Sequence, residues 1–203
     1  MDETFELLTL QQTGKMVPVP IVLLDRPGGD FWRGFERFAT QHLEGTGMIS
    51  PGDLDRVLVT DSADAAVAEI TGFWRNYDSL RWVPDRGGNG RGAAGPPADA
   101  TVVAGGGTEH PGGDQLVMRV RAVPTDEELD SLNERFGELL LHGRIERTEP
   151  LAPELADKDR LELPRIVLTP RRRAVGDLHR IIRALNELPS APAEPPRPPV
   201  PEE

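Results

Sequence analysis

The chain has no cysteine among its 203 residues. Disulfides, thiolate metal sites and a thiol nucleophile are therefore excluded, and a reducing compartment fits. Long apolar runs are also missing. The longest nearly unbroken one, Val17 to Leu24, contains Pro18 and Pro20 and falls well short of the ~20 residues a membrane-spanning helix needs. The first residues show no basic n-region followed by an apolar h-region and a cleavage site, so the expected location is cytoplasmic, with no membrane partner. Basic charge is short as well, with 23 Lys and Arg against 34 Asp and Glu and a net charge of −11. Nucleic acid is not an expected partner, because phosphate contacts require a basic footprint. The four histidines, His42, His110, His142 and His179, are scattered without metal-ligand spacing, and neither a metal nor a cofactor is expected.

Aromatic residues are only 5% of the chain, which points to a part that never packs. Glycine and proline locate it. Thirteen of the 30 residues in 85–114 and seven of the 15 in 189–203 are Gly or Pro. The first stretch is expected to be a disordered insertion and the second, PSAPAEPPRPPVPEE, a solvated polyproline tail. What remains has the composition of ordinary folding material and is long enough for a core.

In MDETFELLTLQQTGK, Phe5, Leu7, Leu8 and Leu10 recur at helical spacing, with Gly14 placed to turn the chain at positive φ. VPIVLLD (19–25) is almost continuously apolar and predicts a strand covered on both faces. After Pro27-Gly28-Gly29, Asp30 is the expected N-cap of a helix that runs to about Gly45. One face of it carries Phe31, Phe35, Phe38 and His42, with Trp32, Ala39 and Leu43 beside them. RVLVT (56–60) is a second strand. Asp61 or Ser62 then caps a helix whose core face is expected to be Val67, Ile70 and Phe73 or Trp74. Helix, strand, helix, strand, helix with short connections is the pattern of a doubly wound parallel sheet. Two strands cannot make that sheet alone, so residues 1–78 read as the C-terminal half of a larger α/β domain.

Residues 79–188 read differently, as a small α+β domain of order ββαββα. SLRWV (79–83) and QLVMRVRAV (115–123) are the first strand pair. Thr125 with Glu128 forms a capping box for a helix burying Leu129, Leu132, Phe136, Leu139 and Leu140. GRIER (143–147) and LPRIVLT (163–169) are further strands, and AVGDLHRIIRALNEL (174–188) is a closing helix on Val175, Leu178, Ile182 and Leu185.

The strings MDETFELLTLQQTGK, VPVPIVLL, DFWRGF, GMISPGDLD, VTDSADAAVAEI and FWRNYDSLRWV, in this order and spacing, resemble the Rossmann-like LOG proteins. These are nucleoside 5′-monophosphate phosphoribohydrolases long labelled possible lysine decarboxylases. The resemblance is to the longer bacterial form, whose extension is matched by ERFGELLLHGRIE and LPRIVLTPRRR. The family signature is Pro-Gly-Gly-x-Gly-Thr-x-x-Glu, in which glycine N–H groups approach a phosphate at a helix N-terminus. Only the end of it is present, with Met1 and Asp2 at the variable positions and Glu3 as the motif glutamate. The resemblance implies that Glu3 is catalytic, orienting or activating water against the anomeric carbon through an oxocarbenium-like state. It also implies a nucleoside monophosphate substrate and a homodimer in the complete protein. Met1 is expected to be an internal methionine of a longer protein, and the chain alone to be inactive, because the Gly-rich loop and the family's arginine have no counterpart.

Taken without the family, Glu3 is an exposed first-turn acid favouring the helix dipole. Pro27-Gly28-Gly29 runs into Asp30-Phe31 instead of x-Gly-Thr and reads as a strand-to-helix turn. Asp25 and Asp61 each follow a strand's carboxyl end, where ligands sit in open α/β folds, and capping also accounts for them. Arg171, Arg172 and Arg173 could hold an anion, but pairing with Glu154, Asp157, Asp159 and Glu162 is expected. The Phe31, Phe35, Phe38 stripe reads as core or subunit interface. Two other classes of function remain beside the enzyme: a non-catalytic nucleotide sensor, and an interaction module whose PPRPPVP tail docks in an aromatic groove.

Overall fold

The computed structural model describes residues 2–50, 52–84 and 114–195, without the Arg173 side chain. The insertion expected over 85–114, apart from Asp114, and residues 196–203 of the tail lie outside the described residues, as does Met1. The chain forms two compact units, one of Met1–Pro18 with Asn76–Pro192 and one centred on Val19–Arg75. Among the described residues no helix is long and apolar enough to cross a membrane.

The Val19–Arg75 unit is built on a parallel strand pair, β1 (Ile21–Leu24) and β2 (Val57–Thr60), in register from Ile21↔Val57 to Leu24↔Thr60. Parallel neighbours need a crossover, and α2 (Phe31–Phe38) supplies it. A wider π turn, Ala39–Glu44, continues α2 to the expected end. After β2, Ser62 caps α3 (Ala63–Phe73) by accepting from the Ala65 N–H. Both helices pack on the strand pair.

Two expectations fail in this unit, and a third is narrowed. Strand β1 is not buried on both faces: Ile21 and Leu23 are buried, Val22 is half-buried and Leu24 exposed, in a sheet that has two strands among the described residues. On α3 the inward residues are Ala66 and Phe73, while Val67 and Ile70 are 59% and 45% exposed. The α2 stripe, read as core or subunit interface, is narrowed to the second alternative: only Ala39 is buried on α2 and its continuation, and Phe31 and Phe38 are 60% and 52% exposed. Periodicity reports an apolar stripe but not what lies over it, so the stripes exist and are uncovered. Asp30 stands at the expected N-cap position, but its side chain makes no capping bond. Its carboxylate is held by Arg37 at 2.7 and 3.1 Å.

The other unit holds the mixed part of the fold: β3 (Tyr77–Val83), β4 (Gln115–Val120), α4 (Asp126–Phe136), β5 (Leu140–Arg147), the short α5 (Ala152–Asp157), β6 (Arg165–Pro170) and α6 (Leu178–Glu187). The sheet is antiparallel in the order β3-β4-β6-β5. Strands β4 and β6 are central and buried on both faces. Leu116, Met118, Ile166 and Leu168 share one face by strict alternation. The buried side of α6 is Leu178, Ile181, Ile182 and Leu185, and that of α4 is Leu129, Leu132 and Phe136. The expected ββαββα order is present with α5 added inside the acidic connection. Leu139 and Leu140 are not helical, since the chain tightens to a 3-10 turn at Gly137–Leu139 and enters β5.

Residues 1–18, read from the sequence as part of the first domain, fall in this same unit through α1 (Asp2–Gln12). The helix stops as predicted at Gly14, whose φ is +70°. Gly14 N–H donates to Gln11 O at 3.2 Å and Lys15 N–H to Leu10 O at 2.9 Å, the paired bonds of a Schellman stop. A Cβ at Gly14 would lie 2.4 Å from Val175 Cγ1, so glycine also permits the close approach to the 3-10 turn Arg172–Asp177.

Candidate functional site

Parallel register makes the first candidate site. Leu24 and Thr60 are paired, so the residues that follow them, Asp25 and Asp61, emerge together at the carboxyl edge of the strand pair. Asp25 N–H donates to Thr60 O at 2.8 Å and extends the ladder by one bond. The chain then turns through Arg26-Pro27-Gly28-Gly29, with Gly28 at φ +71° and Gly29 N–H donating to Arg26 O at 2.7 Å. A side chain at Gly29 would meet Arg26 O at 2.8 Å and Asp25 Oδ1 at 2.9 Å.

Both carboxylates are spent on this turn. Asp61 Oδ2 accepts from Gly28 N–H at 3.0 Å, and Asp25 Oδ2 accepts from Trp32 N–H in the first turn of α2 at 2.9 Å. Arg33 stands 3.9 Å from Asp61. The Gly28 N–H bond holds the Asp61 carboxyl below its usual range, with Arg33 adding to the effect. Asp61 is thus kept ionised. The two glycine amides that a phosphate would need already have acceptors, so Pro27-Gly28-Gly29 is a strand-to-helix turn and no phosphate loop.

Glu3 lies in the first turn of α1 and is exposed, beside Asp2. A carboxylate so placed accepts a proton only from a substrate that other groups hold against it. Glu3 belongs to the unit of α1, whereas Asp25 and Asp61 belong to the Val19–Arg75 unit. Among the described residues no group of three or more His, Asp or Glu is placed to hold a metal ion.

The sequence reading missed a second constellation. Arg119 and Arg165 face each other across β4 and β6, and Ser79 of β3 is the partner of Arg119 on its other side. Their face is covered by α5, from which Glu154 enters fully buried. Glu154 Oε1 accepts from Arg119 Nε and Nη2 at 3.1 and 2.6 Å and lies 2.9 Å from Arg165 Nη1. Its Oε2 accepts from Leu151 N–H at 3.1 Å. Asp159 Oδ2 accepts from Arg119 at 2.7 Å and from Arg81 at 3.0 Å, and Arg81 also donates to Asp157 at 2.5 Å. Burial raises the Asp159 carboxyl, but Arg119 and Arg81 outweigh it and hold it below its usual range.

This corrects the expected pairing of these acids with Arg171–Arg173. Glu154, Asp157 and Asp159 are taken by arginines of the sheet, while Arg171 Nε donates to Glu138 O at 3.1 Å. Arg173's side chain lies outside the description. The available signal was an arginine in each of three apolar strand patterns, SLRWV, QLVMRV and LPRIVLT. Only the cross-strand register shows that Arg119 and Arg165 are neighbours.

No curated protein and no solved structure matches the chain. A family model does, over residues 1–70, and its description is possible lysine decarboxylase. That stretch contains α1 with Glu3, the strand pair with Asp25 and Asp61, and most of α3. Over its first 70 residues the chain is thus similar to the family described as possible lysine decarboxylase, and the match covers about a third of the chain.

Proposed function

We propose that these residues serve a nucleotide hydrolase that cleaves the N-glycosidic bond of nucleoside 5′-monophosphates to free base and ribose 5-phosphate, with Glu3 as its catalytic carboxylate. The family match over residues 1–70 carries this reading. As the bond breaks, positive charge develops at the anomeric carbon, and an ionised carboxylate beside it lowers the barrier electrostatically. The same group can take the proton of the attacking water. Glu3's position in the first turn of α1 leaves it open to a substrate.

Hydrolysis also needs groups that hold the phosphate. The signature Pro-Gly-Gly-x-Gly-Thr is absent from the 203 residues, and the glycine amides at 28 and 29 are occupied. The 203-residue chain by itself is accordingly inactive on this reading, and Glu3 works only where a phosphate loop and an arginine complete the site. The test is release of ribose 5-phosphate from nucleoside monophosphates. No turnover is expected from the 203-residue chain, and turnover is expected, lost on Glu3→Ala, from a protein in which the loop precedes Glu3. Turnover by the 203-residue chain that Glu3→Ala abolishes overturns the inactivity. Turnover by the longer protein that survives Glu3→Ala overturns the role of Glu3.

A homodimer belongs to the same reading. The exposed apolar side chains of α2 and α3, Phe31, Phe38, Val67 and Ile70, are the surface that supports it.

A further inference from the structure

Residues 151–163, the connection from β5 to β6 that contains α5, lie on the sheet face that carries Arg81, Arg119 and Arg165 and are fastened there chiefly by charge. Glu154, Asp157 and Asp159 take Arg81, Arg119 and Arg165, and the carbonyls of Arg160 and Leu163 accept from Arg165 Nη2 at 2.8 and 2.9 Å. Apolar fastening is slight. Leu151 packs on Val83, Val117 and Val167, whereas Leu155 is 54% exposed. Lys158 and Arg160, on either side of Asp159, both adopt left-handed backbone, at φ 53° and 49°. That conformation is disfavoured for a residue with a Cβ, so the segment is bent against its own preference beside Asp159.

We propose that residues 151–163 are a releasable strap latched by carboxylates, and that the sheet face beneath is a docking face for an acidic peptide segment, of which the strap is the built-in occupant. The proposal is independent of the nucleotide reading. The latch has two tiers. Arg81, Asp157 and Asp159 are partly open to water, where such pairs contribute little, while Glu154 with Arg119 and Arg165 is sealed. Loss of the outer tier leaves Glu154, the two carbonyl bonds from Arg165 and one apolar anchor to hold the segment against two unfavourable backbone turns. The face it leaves has three guanidiniums around a valine patch. Its complement is an extended acidic segment with a leucine, and Leu151, Glu154, Asp157 and Asp159 have that pattern themselves.

The test uses the full chain. Asp157→Asn with Asp159→Asn is expected to speed hydrogen exchange of the amides from Glu154 to Leu163 about tenfold, with the amides of β4 and β6 unchanged. A synthetic peptide of residues 148–163 is then expected to bind this variant and not the parent. The same peptide with Glu154→Gln, Asp157→Asn and Asp159→Asn should bind neither. Parental protection of the strap, joint loss of protection in β4 and β6, an open strap that binds no peptide, or equal binding of the neutral peptide each overturns the proposal. Should the double variant not fold, Arg81→Gln removes the Asp157 pair and one of the two Asp159 pairs from the sheet side, and faster exchange of the same amides is again expected.

Discussion

Two buried asparagines show how much a single side chain holds. Asn186 Oδ1, near the end of α6, accepts from the N–H groups of Asn76 and Tyr77 at 2.8 and 2.9 Å. Asn76 Oδ1 in turn accepts from Arg121 and Ala122 N–H at 3.1 and 2.9 Å. One side chain thus clips α6 to the start of β3, and the other clips the start of β3 to the end of β4. Asn186→Ala leaves two buried N–H groups without that acceptor and is expected to cost about 2–4 kcal/mol, read as a lower urea midpoint with unchanged slope. Glu154→Ala takes the shared buried carboxylate from two buried guanidiniums, leaving Arg119 with Asp159 and Arg165 with backbone carbonyls, and about 3 kcal/mol is expected from the same measurement. Asp159 and Asp61 titrate below their ordinary range in the folded chain, so around their unfolded pKa the unfolded chain binds more protons. Their contribution is complete above the ordinary carboxylate pKa of about 3.9 and is lost as pH falls through the lower folded values. Stability of Asp159→Asn should therefore change less steeply with pH in that acid window than stability of the parent.

At the scale of elements, caps and stops were legible because they are local. The Thr125–Glu128 box forms as its spacing predicts, with Thr125 N–H donating to Glu128 Oε2 at 2.7 Å and Glu128 N–H to Thr125 Oγ1 at 3.3 Å. Thr125→Ala is expected to cost about 1 kcal/mol in thermal or urea unfolding. Gly14→Ala should cost more than the roughly 1 kcal/mol of a left-handed residue, because its Cβ would also displace Val175. The parallel pair, the antiparallel strands and both long helices of the second unit were legible from alternation and period. Which face of α3 turns inward was not, since Ala66 is inward and Val67 outward one residue apart. Asp30 stands at the N-cap as its residue type predicts, but Arg37, seven residues on, decides where its carboxylate goes. The meeting of Asp25 and Asp61 could be read, since each ends a strand and parallel partners end together. The Arg119–Glu154–Arg165 cluster depends on register and on a six-residue helix in a loop, and neither leaves a periodic trace.

At the scale of the whole molecule, the uncovered apolar surface is unevenly divided. In the Val19–Arg75 unit, Leu24 on β1, Phe31 and Phe38 on α2, and Val67 and Ile70 on α3 are all exposed, around a sheet of only two strands. Exposed large apolar side chains this numerous in one small unit are what a surface covered by another protein requires, while single exposed ones need no explanation. A symmetric dimer brings the same patch from two copies together, so each aromatic is used twice. The protein is therefore expected to self-associate, and Phe31→Asp with Phe38→Asp to shift it to monomer in light scattering. Because neither ring is buried in the single chain, the substitutions should change unfolding of the monomer by no more than about 0.5 kcal/mol each. Two aspartates facing their symmetry mates would oppose association by repulsion as well as by lost apolar area. A parent that is monomeric at every concentration, or a variant that associates as the parent does, would remove α2 from the interface.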